Sequence, residues 1–306
     1  LAIGGNLAIG GDVNSVQVLT VSGTADSGGN VTTSSTQTYT GNVTLSGGDR
    51  SLTSAEVSFN GDADGGGNAL KITGPFTTGG AIANLDSLKV VGGATLGGNV
   101  TSSGNQDYDL TVTLTADAVL AANLVSVVGV VDAGGNSLAV TGNANFDAAV
   151  SNVSAFGVTA AAALGGDVTS TGNQTYGGPV VVPVAAVRTL TADTVSFQDT
   201  VAGSSDRLAI VGNLVTADTI SSFSQLDVSG NSTLGGNVST SGSQGYTGEV
   251  FLANSVKLSG TTASFNNGVA GNDQSLTLNF SSTTTLNGTV LPFSNLANLT
   301  SLGPTE

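Results

Sequence analysis

One short motif returns along this chain at intervals of 69, 68 and 70 residues. It reads Thr36-Gln37-Thr38-Tyr39, Asn105-Gln106-Asp107-Tyr108, Asn173-Gln174-Thr175-Tyr176 and Ser243-Gln244-Gly245-Tyr246, and it holds all four tyrosines of the protein. Other anchors keep the same period. Gly28-Gly29-Asn30-Val31 returns as Gly97-Gly98-Asn99-Val100, Gly165-Gly166-Asp167-Val168 and Gly235-Gly236-Asn237-Val238. Leu70-Lys71-Ile72 returns as Leu138-Ala139-Val140, Leu208-Ala209-Ile210 and Leu276-Thr277-Leu278. Tandem copies of one unit bury their apolar faces against each other, which points to a stacked architecture and away from a closed globule.

The register predicts one continuous solenoid over 1–306, with units at about 1–69, 70–137, 138–207 and 208–275 and a partial unit over 276–306. The partial unit departs from the pattern: Gly-Gly-Asn does not return, and Pro292 and Pro304 appear. No amphipathic capping helix is evident at either terminus. Open strand edges would then predict further repeats, or another copy, beyond each end.

Within a unit the local signal is strand. Asn42-Val43-Thr44-Leu45, Ala55-Glu56-Val57-Ser58-Phe59 and Ser87-Leu88-Lys89-Val90 alternate apolar and polar residues, so that each has one face to bury. Val and Thr favour the pleated backbone. Clusters of Gly, Asn, Asp and Ser separate the runs and supply turns. The best helical stretch, Ala160 to Ala163, aligns with the strand-like run from Gly92 to Thr95. A sandwich needs about 100 residues and a propeller blade about 40–50, and neither matches the period. The fold class predicted is all-β, a parallel β-helix (β-solenoid). Each unit would supply three coils of about 23 residues, or four shorter ones. Sharp corners call for Gly or Asn, which gives Gly-Gly-Asn a structural role.

Composition removes several function classes. His, Cys, Met and Trp are absent, so triads and metal sites built on His or Cys are impossible. There are 6 basic residues against 21 acids, for a net charge of −15. The bases Arg50, Lys71, Lys89, Arg188, Arg207 and Lys257 are scattered, which argues against nucleic-acid binding and against an anionic membrane surface. No run of about 18 apolar residues is present, so membrane insertion is not expected. The lack of oxidisable sulfur fits an extracellular setting.

The acids closest in sequence are Asp62 with Asp64 and Asp107 with Asp109, each pair on one strand face. Paired carboxylates can serve glycoside hydrolysis, and Asp62 and Asp64 beside Gly65-Gly66-Gly67-Asn68 are a weak calcium candidate. The reading favoured for both pairs is that of turn and surface acids. No catalytic residue, cofactor or dedicated metal site is expected, and the protein reads as a non-enzyme. Thr111, Thr113 and Thr115 share a strand face, as do Thr283 and Thr285, but an ice-binding solenoid would repeat such a pattern on every coil. Tyr39, Tyr108, Tyr176 and Tyr246, with Asn30, Asn99, Asp167 and Asn237, define the repeat. The tyrosines are expected to pack against a neighbouring coil.

Units such as Leu96-Gly97-Gly98-Asn99-Val100-Thr101-Ser102-Ser103-Gly104-Asn105-Gln106-Asp107-Tyr108, followed by Thr111-Val112-Thr113-Leu114, resemble those of filamentous-haemagglutinin-like bacterial surface adhesins of the autotransported or two-partner-secreted type. The resemblance implies a right-handed β-solenoid, export to the bacterial cell surface, and adhesion or matrix formation. Partners would then be other copies or further repeats of the same chain, end to end or side by side, and surface glycans. The alternative is a β-helix protein that binds or degrades polysaccharide.

Overall fold

A computed structural model describes residues 1–183, 186–282, 284–286 and 293–303. Thr283, Pro292 and Pro304 lie outside the described residues. The chain forms two compact units, Leu1–Ser154 and Ala155–Glu306. Regular structure among the described residues is all strand, and neighbouring strands pair in parallel. Each unit is a parallel β-solenoid, so the expected fold class holds. The Ala160–Ala163 stretch contributes to the short strand Ala162–Leu164.

In the first unit the coils stack as three ladders. One runs Ile3, Val21, Tyr39, Phe59, Thr78, Leu96, Leu114. A second includes Ala25, Val43, Ala63, Ile82, Val100, Leu120 and Val140. The third runs Val31, Leu52, Ile72, Val90, Tyr108, Val127, Phe146. Successive members of a ladder are 18 to 21 residues apart, and that separation is the length of one coil. The second unit repeats the plan. Its ladders include Val158–Tyr176–Phe197–Thr216–Leu234–Leu252, Leu190–Ile210–Val228–Tyr246–Phe265 and Ala162–Val180–Val201–Ile220–Val238–Leu258–Leu278.

The coil count differs from both expected values. Tyr108 ends the eleventh strand after the one that ends with Tyr39, and three strands make a coil, so one sequence repeat spans three and two-thirds coils. Tyr39 and Tyr108 therefore sit on different ladders of the first unit, and Tyr176 and Tyr246 on different ladders of the second. The sequence unit and the structural unit are distinct: the repeat advances by a third of a turn beyond whole coils. No sub-period of 23 exists because the corners vary in length.

Strict alternation places one apolar side chain inside and one polar side chain outside at each step. In Leu70-Lys71-Ile72 the two apolar residues are buried and Lys71 is exposed. Each fully buried Leu, Val or Ile contributes about 1.5–3 kcal/mol relative to exposure, which makes the interior column the main source of stability. Rings add contacts across coils: Tyr39 to Phe59 at 5.5 Å edge-on, Tyr176 to Phe197 at 5.2 Å and Tyr246 to Phe265 at 5.2 Å, both stacked.

The Gly-Gly corner needs its glycines for coil-to-coil approach. A Cβ on Gly29 would lie 2.2 Å from the backbone of Gly11, and one on Gly236 would lie 2.3 Å from that of Asp218. At such corners the main chains of successive coils touch, and any side chain would push them apart.

Candidate functional site

The repeat-defining residues are the natural place to look for a site, and they prove to be joints of the scaffold. All four tyrosines are buried, as expected, and each hydroxyl donates to the glutamine two residues before it. The distances are 3.3 Å for Tyr39–Gln37, 3.2 Å for Tyr108–Gln106, 3.1 Å for Tyr176–Gln174 and 3.0 Å for Tyr246–Gln244. Each glutamine amide then donates twice. Gln37 Nε2 reaches Val31 O at 3.0 Å in its own coil and Thr53 O at 2.9 Å in the next. Gln106, Gln174 and Gln244 make the same pair of bonds, to Val100 and Ala121, to Val168 and Thr191, and to Val238 and Ser259. The glutamine satisfies carbonyls where a bend interrupts the ladder, which is the condition for burying a polar group there. Burial raises all four tyrosine pKa values well above the ordinary phenol value. The sequence showed the Gln-x-Tyr recurrence but not the glutamine's role; its invariance across four otherwise variable copies was the signal.

Asn30, Asn99, Asp167 and Asn237 also share one role. The Oδ1 of each accepts a backbone N–H from the next coil: Ser51 at 2.8 Å, Val119 at 2.8 Å, Thr189 at 2.9 Å and Lys257 at 2.7 Å. Asp167 additionally meets buried Arg188 at 3.4 Å. An acceptor is all this position requires, and so Asp substitutes for Asn.

Asp62 and Asp64 both face solvent, as their spacing predicts. Asp62 Oδ1 accepts the N–H of Ala81 at 2.9 Å. Asp64 Oδ1 accepts the N–H of Gly66 at 2.9 Å and the amide of Asn84 at 3.1 Å, and these two bonds hold its carboxyl below the usual carboxylate range. Asp132 repeats the arrangement with Asn152 and Gly134, again with a lowered pKa. Asp109 forms an ion pair with Lys89. Asp107 lies on the outward side opposite Lys89 in the ladder. Among the described residues, no group of three or more Asp or Glu side chains converges to hold a metal ion.

The largest surface hollow is an open groove of about 610 Å³ lined by Asp64, Gly66, Asn84, Thr101, Ser102 and Ser103. It carries a carboxylate, an amide and hydroxyls, with no aromatic ring. It is the one place where candidate Asp64 lies beside a concave surface.

A second surface feature emerges only across coils. Thr20, Thr38, Ser58, Thr77, Thr95 and Thr113 occupy one outward row on six successive coils of the first unit. Of the expected trio, only Thr113 belongs to it. The strand Val112–Leu114 is three residues long, so Thr111 and Thr115 fall at its flanking corners. The hydroxyl repetition runs perpendicular to the chain, from coil to coil.

Comparison with protein-family models, with curated proteins and with solved structures finds no match.

Proposed function

We propose that this chain is a secreted structural segment of a bacterial cell-surface adhesin or extracellular filament, acting through adhesion and self-association and not as an enzyme. One observation carries this reading: the residues that define each repeat are spent inside the scaffold. All four Gln–Tyr pairs are buried and bonded to the main chain, so the repeat encodes a way of stacking coils. What remains outward is mainly Thr, Ser, Asn and small residues on flat ladder faces, with a net charge of −15. Such faces suit broad, low-specificity contact with other copies or with surface glycans. The absence of Cys, Met, His and Trp supports an extracellular setting.

The test is surface labelling. Antibody raised to the purified chain should stain intact producing cells, and external protease should remove that staining. Beads coated with the chain should cluster with one another or bind cells. Staining that appears only after lysis, with no bead clustering, would refute the proposal.

The groove beside Asp64 favours a second reading, a module that binds or cleaves polysaccharide. A glycan array and a polysaccharide-digestion panel with the intact chain and with Asp64→Asn separate the two. Binding or cleavage lost in Asp64→Asn would establish the second.

A further inference from the structure

Three corners occupy equivalent places in the repeat: Gly65-Gly66-Gly67-Asn68, Ala133-Gly134-Gly135-Asn136 and Gly203-Ser204-Ser205-Asp206. Their main chains match bond for bond. Gly67, Gly135 and Ser205 donate N–H to Asn84, Asn152 and Ser222 of the next coil at 2.7, 2.7 and 2.8 Å. The carbonyls of Asn68, Asn136 and Asp206 accept from Asp86, Ser154 and Ser224. Asn84, Asn152 and Ser222 all have positive φ, of 56°, 54° and 64°.

The side chains differ at one atom. Asn68 Nδ2 donates to Gly65 O at 2.9 Å and to Leu45 O of the preceding coil at 3.2 Å. Asn136 Nδ2 donates to Ala133 O at 2.8 Å and Leu114 O at 3.3 Å. The third corner has a carboxylate in place of that amide. Asp206 Oδ2 accepts the N–H of Ser204 at 3.2 Å, a bond that Asp64 and Asp132 make from outside in the other corners and that Ala202 cannot make. Ser204 Oγ takes over one carbonyl, that of Val182, at 3.0 Å. Asp206 Oδ1 is left buried with no partner, on a residue 3% exposed. Among the described residues nothing donates to Gly203 O, whereas Gly65 O and Ala133 O each receive both a main-chain N–H and an amide. Two acceptors therefore converge where the other corners hold a donor.

No basic side chain answers them. Arg207 bonds Asp227 at 2.7 Å, and Arg188 directs Nη1 to Asp167, on the coil before its own. From the following coil the corner meets Ser221, Ser222, Phe223 and Ser224, none of them titratable.

We propose that this corner binds a hard cation of the calcium type, seated where the amide nitrogens of Asn68 and Asn136 sit and held by Asp206 Oδ1, the carbonyl oxygens of Gly203 and Val182, and water. A buried carboxylate oxygen needs a compensating positive partner. Carboxylate, carbonyl and water oxygens are the calcium donor set, and calcium tolerates the irregular geometry that magnesium rejects. A single carboxylate places the affinity in the weak range of extracellular modules, about 10⁻⁴–10⁻³ M. The site lies at the third corner and not at Asp62 and Asp64, where both carboxylates already accept N–H donors.

The experiment is calorimetric titration of the full, EDTA-stripped chain with calcium chloride at constant ionic strength, paired with thermal melts. The expected result is a single calcium per chain and a melting temperature that rises with calcium. Asp206→Asn should lose both responses and melt no lower than the calcium-loaded parent, because its amide restores the bond to Gly203 O. Asp64→Asn should keep both responses. An unchanged response in Asp206→Asn would overturn the proposal in favour of diffuse screening. So would a parent indifferent to calcium that gains stability as the pH falls toward the carboxylate range, since a proton would then fill the place.

Discussion

Tyr246 donates its hydroxyl to Gln244 Oε1 at 3.0 Å, and the same glutamine's amide bridges Val238 O and Ser259 O on two successive coils. The tyrosine orients the glutamine, and the glutamine joins the coils. Flipping the amide would aim Oε1 at two carbonyls and Nε2 at the hydroxyl, so the tyrosine fixes which end faces the main chain.

This joint makes an asymmetric prediction. Gln244→Leu leaves two carbonyls and a hydroxyl without partners, and each buried orphan costs about 1–3 kcal/mol. The variant should lose about 3 kcal/mol or more. Tyr246→Phe leaves only Oε1 unpaired and should lose about 1 kcal/mol. The double variant should fall well short of the sum, because the groups share one network. Urea midpoints of the four proteins measure this, and strict additivity would show that the hydroxyl does not orient the amide.

The tyrosines also predict steep alkaline behaviour. Their folded pKa values lie above the ordinary phenol value because burial penalises the phenolate. The folded state keeps protons that the unfolded chain releases near pH ~10. The stability they confer is complete below that pH and falls as the pH rises above it, by up to ~1.4 kcal/mol per unit for each tyrosine. Tyrosinate absorbance should appear together with unfolding and not before it. Each Tyr→Phe replacement should lower the proton slope of the alkaline transition by about one. A normal phenol titration of the folded chain would contradict the burial.

Much of this was open to reading from the chain alone, and the reason is physical. Alternation in Leu70-Lys71-Ile72 shows which side is buried, and the Gly28-Gly29 pair marks a corner, because both constraints are local. The coil length was hidden because eleven strands do not divide into whole coils of three. Equivalent residues such as Tyr39 and Tyr108 therefore fall on different ladders, and aligning the repeats aligns residues that never stack. The row from Thr20 to Thr113 was hidden for the same reason: its members sit 18 to 20 residues apart, a spacing unrelated to the repeat. Asp206 stood out only when its carboxylate could be set against the amides of Asn68 and Asn136 in matching main chains.

Asp64 and Asp132 set the acid side. The bond from Gly66 and then that from Asn84 lower the pKa of Asp64; Asn152 and then Gly134 lower that of Asp132. A carboxyl with a depressed folded pKa stabilises the fold above its unfolded value of about 3.9, and this is lost as the pH falls through the folded value. Asn84→Ala and Asn152→Ala should raise the two carboxyl pKa values toward normal, read by carboxyl NMR titration. Unmoved values would mean that the backbone N–H alone holds them down.

The natural exchange of Asn for Asp at Asp167 defines the last prediction. At Asn99 the main chain asks for one acceptor, supplied by Oδ1 to the N–H of Val119 at 2.8 Å. Asn99→Asp keeps that acceptor and should leave stability at neutral pH within about 0.5 kcal/mol, as for a surface change without a named defect. Asn99→Leu removes the acceptor from a coil junction and should cost about 1–2 kcal/mol, the range for losing a capping side chain that satisfies a backbone N–H. Hydrogen exchange at Val119 provides the local readout: the amide should stay protected in Asn99→Asp and open in Asn99→Leu. Equal protection in both variants would show that strand pairing alone holds the junction, and that the recurring Asn serves the turn and not the next coil.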